Sequence, residues 1–413
     1  MTATGDAIVS PYTYADPGAM DALFAQLRRD DPVHRVEHPD YRPFWAVTKF
    51  ADIQEVERLP DAFLNAPRTF LRTLAYEERA RAATGGNPAL LRSLVFMDAP
   101  DHAQYRKLTQ AWFMPGRIKA LEADIRRLAA EVIDDMADCG GACDFAADVV
   151  PYFPVRVIMR ILGVPRCDEP LILQLTQEIF GSDDPDVQAA RTMTASLADT
   201  VKVFSDYFRD LTAERRRNPA DDLATLFAQA EIDGRPMADH ESVSYYILVA
   251  TAGHDTTSST TAGGLLALIE NPDVQARLRA DPSLLPGAVD EMVRWVSPVR
   301  HFFRTATRDH ELRGKTIRVG DSLMMCYPSA NRDEEIFDDP FAFRVDRPAN
   351  RHIAFGYGPH LCLGMHMARM EIRIFYEELL RRVASVELAG DAAWLASTNV
   401  GGLKRLPIRF TLA

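Results

Sequence analysis

The chain has 413 residues, 47% hydrophobic and 26% charged, a balance that excludes disordered and fibrous classes. Its 47 Lys and Arg against 59 Asp and Glu give a net charge of −12, without the basic excess of a nucleic-acid-binding chain. No apolar run reaches the roughly 18 residues of a membrane span, no signal peptide is evident, and the five scattered cysteines suit a reducing compartment. A cytoplasmic protein is expected, with neither a membrane nor a nucleic acid as partner.

Short alternations at Val33–Val36 and Phe44–Val47 read as strands, in a β-rich portion over approximately 30–60. From approximately 99 to 300 the pattern is helical. Ile118, Leu121, Ile125, Leu128 and Val132 step by three and four, which places them on one face of a helix. Val155 to Leu162 ends at Gly163-Val-Pro165, a helix stop, and Ser182–Pro185 and Arg217–Pro219 mark further breaks. The run Glu214–Arg217 reads as a solvated helix end. Approximately 305–330 is again β-rich, with Glu311 to Tyr327 reading as two or three strands turning at Gly314 and Gly320. Residues 331–352 lack periodicity, and so long an irregular loop in a compact domain is usually functional. A glycine-rich turn, a helix over approximately 365–382 with Ile372, Phe375 and Leu379 on one face, and C-terminal strands complete the chain. No linker divides it. The expected architecture is one domain over 1–413, mainly α with a smaller β portion drawn from both ends.

The most informative stretch is Phe355-Gly-Tyr-Gly-Pro-His-Leu-Cys-Leu-Gly364. Gly356, Gly358 and Gly364 let the backbone approach a bulky group. Cys362 sits at the mouth of the following helix, where N–H groups and the helix dipole favour a thiolate. A lone cysteine without zinc-spaced partners makes no tetrahedral zinc site. It does suit one axial position on haem iron. A buried structural cysteine is the alternative when the residues are taken alone. The stretch resembles the haem loop of the cytochrome P450 family, Phe-Gly-x-Gly-x-His-x-Cys-x-Gly, at every defined position.

That resemblance implies the P450 fold, with haem b between helices and Cys362 as its iron ligand, and it recurs along the chain. Glu291 and Arg294, three apart on a helix, could be an ordinary surface pair. The resemblance instead joins them to Arg347 in a structural triad. His102 and Arg106, one turn apart, could be a solvated face; the resemblance makes them propionate ligands, with Arg304 and His360 at two further such positions. Ala252-Gly-His-Asp-Thr256 could be a polar helix kink. In the family it is an oxygen groove, where the alcohol of Thr256 hydrogen-bonds bound dioxygen and Asp255 relays protons. Helical geometry turns His254 about 100° from each neighbour, so with Asp255 and Thr256 facing the groove it points away and is no iron ligand.

By position, Leu248, Ala252, Val299, Phe302 and Val400 border the substrate cavity, although core packing also explains each one. The segments Phe180–Pro185 and Val400–Pro407 resemble bacterial members that oxidise terpene alcohols or, less closely, steroid side chains. The implied activity is hydroxylation of a small hydrophobic substrate, a terpenoid or similar alicyclic or aromatic compound, using O2. The implied electron donor is a [2Fe–2S] ferredoxin served by an NAD(P)H-dependent reductase, steered by a basic patch of Lys107, Arg369 and Arg373. A monomer is expected. The alternatives are a steroid side-chain hydroxylase, a peroxide-driven haem oxygenase and a non-catalytic haem sensor or carrier.

Overall fold

Strands from the two ends of the chain form one sheet. The structure, a computed structural model, describes residues 3–86, 93–180, 184 and 197–413. Helix α1 (Pro17–Asp30) leads into the hairpin of β1 (Val33–His38) and β2 (Tyr41–Val47), followed by α2 (Phe50–Glu57) and the short β3 (Phe63–Leu64). The helical part begins with α3 (Leu74–Thr84), α4 (Asp101–Gln110) and α5 (Glu122–Ala137). Strand β4 (Ala142–Asp144) precedes α6 (Tyr152–Leu162), α7 (Glu169–Phe180) and α8 (Leu197–Arg217). Then come α9 (Asp239–Ala252), α10 (Asp255–Glu270) and α11 (Leu285–Val296). β5 (His301–Ala306) and β6 (Ser322–Cys326) return to the sheet, and α12 (Met365–Arg382), β7 (Val383–Leu388) and β8 (Pro407–Leu412) close the chain.

The sheet order is β1-β2-β6-β5-β3, with β6 parallel to β2 and antiparallel to β5. All of β6 is buried, and the alternation of side chains across a strand explains how. Leu323 and Met325 join an apolar cluster with Ile53, Phe63 and Phe337, while Met324 and Cys326 join Tyr14, Phe24 and Phe44 on the other face. β8 likewise bridges β7 and β4, tying the C-terminus to the helical part. Neither end of the chain could be detached without opening a sheet.

Two expectations need correction. The β-rich start ends at Val47, and residues 50–57 are the helix α2. The stripe from Ile118 to Val132 is buried throughout, yet it spans two helices. A short helix, Pro115–Ala120, tightens at its end, where Leu121 N–H donates to the Ile118 carbonyl at 2.9 Å before α5 begins. Periodicity records burial across such a jog but not the jog itself. The expected strands between Glu311 and Tyr327 are His310–Leu312, Lys315–Ile317 and β6.

The helical core forms where α10 meets α11 and α12. A Cβ on Gly264 would lie 2.8 Å from both Met292 Sδ and Tyr376 Oη, so only glycine allows this approach. Tyr376 then donates to the Thr261 carbonyl at 2.7 Å and locks α12 onto α10. The stretch Ala252–Thr256, for which a polar helix kink was one reading, holds a break at Gly253 and His254, between α9 and α10. Among the described residues no helix is long and apolar enough to cross a membrane. Of Phe180–Pro185, residues 181–183 and 185 lie outside the described residues; Asp184 is buried and pairs with Lys404 at 3.2 Å.

His301 in β5 is fully buried, accepting from Leu71 N–H at 3.0 Å and lying 2.7 Å from the Thr398 carbonyl. Burial pushes its imidazole down to about 3 from an ordinary 6.5. The unfolded chain therefore takes up a proton below pH 6.5 that the folded chain refuses until about 3. The stability His301 contributes is fully present above pH 6.5 and falls across that window. A His301→Gln variant should show a shallower loss of Tm between pH 6.5 and 4 than the parent, measured by calorimetry.

Candidate functional site

A cavity of about 440 Å³ separates the Cys362 loop from α9 and α10. Its walls include Phe355, Gly356, Cys362 and Gly364 on one side, and Leu248, Ala252, Thr256, Val299, Phe302 and Val400 on the other. His102, Arg106, Arg304 and His360 also line it. Residues expected to serve one site thus converge from α4, α9, α10, β5, the loop before α12 and the C-terminal turn. Asp255 does not line the cavity. Its carboxylate turns to His254, with Oδ1 3.2 Å from Nδ1, which corrects the expectation that it faces the groove beside Thr256.

The Cys362 loop is shaped by its glycines. Gly358 has φ +67°, and a Cβ there would lie 2.2 Å from the Glu57 carbonyl, so the turn seats directly on the end of α2. Cys362 N–H then donates to the Phe355 carbonyl at 2.9 Å. The thiol is accessible only to the cavity it lines, deep inside the protein. Burial pushes its pKa up, opposed by the N–H groups of Gly364 and Met365 and by the Arg106 and Arg369 guanidiniums. The helix mouth alone therefore does not make the thiolate; a bound metal cation, which deprotonates a coordinating thiol, would.

The polar end of the cavity is cationic. The rings of His102 and His360 lie 3.9 Å apart, and His102 Nε2 is buried with no hydrogen-bond partner. Burial and the neighbouring Arg106 hold His102 uncharged; burial, His102, Arg304 and Arg106 push His360 down to about 2. Arg106 donates to the Leu361 carbonyl at 2.7 Å. Arg304 donates to Glu57 Oε1 at 2.8 Å, an oxygen that also accepts from Tyr327 Oη at 2.7 Å. Two guanidiniums and two imidazoles with one buried counter-carboxylate suit a group bearing further carboxylates. With a sulfur ligand in one wall and an unpartnered ring nitrogen at this end, the residues present fit haem and its two propionates.

The opposite wall is largely apolar. Phe302 packs against Phe70, which packs against Phe96, with centroids 5.4 and 5.6 Å apart. Thr256 Oγ1 donates to the Ala252 carbonyl at 2.8 Å. His254 is completely buried and faces away from the cavity, as expected, with Nε2 3.1 Å from the Pro151 carbonyl. Three lining carboxylates, Glu57, Glu77 and Glu371, were missed by the sequence reading. Glu57 lay within a stretch read as strand. Glu371, raised well above the ordinary range by burial, sits between apolar Met370 and Ile372, where a charge on the inner face of α12 was a readable sign.

Glu291 and Arg294 do not form a surface pair. Both side chains are 0% exposed and meet in a double contact of 2.7 Å each. Arg347 approaches both Glu291 oxygens at 3.1 Å, and Arg344 N–H and Asn350 Nδ2 donate to them at 2.7 and 3.0 Å. The basic patch fares differently. Arg369 pairs with Asp290 at 2.7 Å, and Arg373 with Glu122 at 3.0 Å and Glu377 at 2.5 Å, so neither is a free charge. Lys107 is exposed and has no ion pair among the described residues.

The family model for cytochrome P450 matches residues 73–392. The chain belongs to the cytochrome P450 family. It is 43% identical to cytochrome P450-terp of a Pseudomonas species over 98% of this chain and 97% of that one. It is 34% identical to linalool 8-monooxygenase of Pseudomonas putida over 94% of each. The crystal structure of CYP108D1 from Novosphingobium aromaticivorans superposes with a TM-score of 0.92 at 46% identity, covering 99% of this chain and 98% of that one. The protein is accordingly a P450 monooxygenase, an oxidoreductase that uses haem b.

Removing one partner from a fully buried ion pair typically costs about 3–5 kcal/mol. Arg294→Ala should therefore lower unfolding free energy by about that much and release haem from the P450 during denaturant titration before the sheet unfolds. Retention of both at parental denaturant concentrations would show that the triad is dispensable.

Proposed function

We propose that this P450 hydroxylates a small terpenoid, or a similar alicyclic or aromatic compound, in the cavity facing Cys362. The observation that carries the reading is the opposition of Cys362 on one wall to Thr256 on a largely apolar one. The named relatives point the same way, since linalool is a terpene alcohol. An apolar cavity with few polar anchors suits such a substrate.

In this reading Cys362 is the iron ligand, and His102, Arg106, Arg304 and His360 hold the propionates. Phe355, Gly356 and Gly364 shape the face on which the macrocycle rests. When bound, haem supplies the redox centre at which O2 is reduced and one oxygen atom is transferred. The chain's own part is to position, protonate and keep dry. Leu248, Ala252, Val299, Phe302 and Val400 hold the substrate's C–H bond and exclude water. Thr256 presents hydroxyl lone pairs to the cavity, because its proton is directed to the Ala252 carbonyl. Asp255, one residue before it and behind the wall, relays protons from solvent. Such a relay argues against a peroxide-driven oxygenase, since peroxide arrives already reduced. Electrons come from a [2Fe–2S] ferredoxin and its NAD(P)H-dependent reductase. With Arg369 and Arg373 paired, docking on that face relies on few free charges, and its salt dependence should be shallow.

The reduced protein with carbon monoxide should give the strongly red-shifted Soret band of a thiolate-ligated haem, and Cys362→Ala should lose it. An unchanged band in that variant overturns the ligand assignment. Thr256→Ala should keep NAD(P)H consumption but lower product per NAD(P)H by about tenfold or more, with peroxide making up the difference. Fully coupled turnover would remove Thr256 from the chemistry. A panel of terpenoids, alkylbenzenes and a steroid, scored by the substrate-induced spin shift, tests the substrate class; a shift with the steroid alone would overturn it.

A further inference from the structure

We propose that His254 is a positioning residue, whose Nδ1 proton holds the Asp255 carboxylate in place behind the Thr256 wall. This rests on the reading of Asp255 as a proton relay. His254 lies in the break between α9 and α10 and is 0% exposed. Its Nε2 faces the Pro151 carbonyl at 3.1 Å, an atom that can only accept, so Nε2 carries a proton. Its Nδ1 faces two oxygens, Thr176 Oγ1 at 3.1 Å and Asp255 Oδ1 at 3.2 Å. The Thr176 hydroxyl directs its own proton to the Leu173 carbonyl at 2.8 Å. Among the described residues no other donor is bonded into the space between these three atoms, and three sets of lone pairs could not share it. A proton on Nδ1 donates to Thr176 Oγ1 and gives the adjoining, half-buried Asp255 carboxylate its counter-charge. Asp255 is the one carboxylate within ion-pair distance of His254 among the described residues. Its other oxygen, Oδ2, is buried with no hydrogen-bond partner among the described residues. One oxygen is thus clamped while the other keeps its acceptor capacity, next in sequence to Thr256.

A purely structural histidine would make the same contacts to pin α7 and Pro151 against α10. The two ring nitrogens separate the cases. In His254→Asn the amide can occupy the position of Nδ1 and reach Asp255, but it loses Pro151. In His254→Gln the amide can occupy the position of Nε2, keeping Pro151 and losing Asp255. Both holoenzymes should retain the thiolate carbon monoxide spectrum and bind substrate within about twofold of the parent. His254→Gln should lose about fivefold or more in product per NAD(P)H, whereas His254→Asn should stay within about twofold. The reverse order, or parental coupling in both, would assign His254 a structural role and overturn the proposal. Asp255→Asn is the reference. Loss of coupling there with none in His254→Gln defeats this inference alone, while parental coupling in Asp255→Asn defeats the reading beneath it. Should either variant fail to fold, nitrogen NMR of ¹⁵N-histidine in the diamagnetic ferrous carbon monoxide form decides. Both His254 nitrogens should be protonated, with Nδ1 moving in Asp255→Asn and Nε2 staying. A bare Nδ1 that accepts from Thr176 would overturn the proposal.

Discussion

The burial of Glu291 and Arg294 is the constraint on which the haem side of this P450 depends. Two charges removed from water are tolerable only where every remaining donor and acceptor is satisfied. Arg294 therefore needs carbonyl oxygens, and it takes them from Asn331, Pro340 and Ala342. Arg347 needs them too and takes Asp338, Asp339 and Ala342. Those carbonyls belong to an irregular segment that has no helix or sheet partners of its own for them. The ion pair and the loop thus solve each other's problem, and the loop becomes a rigid lead-in to Phe355 and Cys362.

A second asymmetry follows along the cavity. Its cationic end is built from residues that would be poor neighbours in the absence of an anion. His102 and His360 are held uncharged, and Arg304 spends itself on Glu57. The far wall carries threonines whose hydroxyls turn back to backbone carbonyls, as Thr251 and Thr260 also do toward Ile247 and Thr256. His102, Arg106, Arg304 and His360 gather where the propionates would lie, while Leu248, Val299, Phe302 and Val400 line the side where a hydrophobic substrate would.

Much of this was legible in the sequence, and the parts that were not share a cause. The glycine-flanked Cys362 carries its own geometry, because positive φ and close approach are properties of the residues themselves. The triad was legible only through the family pattern. The spacing of Glu291 and Arg294 describes a surface pair equally well, and burial is a tertiary fact. The stripe from Ile118 to Val132 showed which side chains are buried but not that the chain changes helix at Leu121. The pairing of Arg369 and Arg373 was invisible for a similar reason, since Asp290 and Glu122 approach them from distant segments. Asp255 was misdirected because its direction was taken from the family pattern, whereas here it turns to His254 at the break.

That break is itself a consequence of local chemistry. At the end of α9 the carbonyls run out of intrahelical donors, and Gly253 offers no side chain to shield them. A Cβ there would come within 3.1 Å of Ile158 Cδ1, so the glycine is also what lets α9 lie close to α6. The Thr256 hydroxyl meets one of the exposed carbonyls, that of Ala252. His254, at φ −82° and ψ −70°, rotates out of the helical ladder, and its side chain reaches Pro151 and α7. An unbroken helix would present Asp255 to the cavity and bury nothing beneath it. The broken one turns the carboxylate onto an imidazole and leaves Thr256, without Asp255, on the cavity wall.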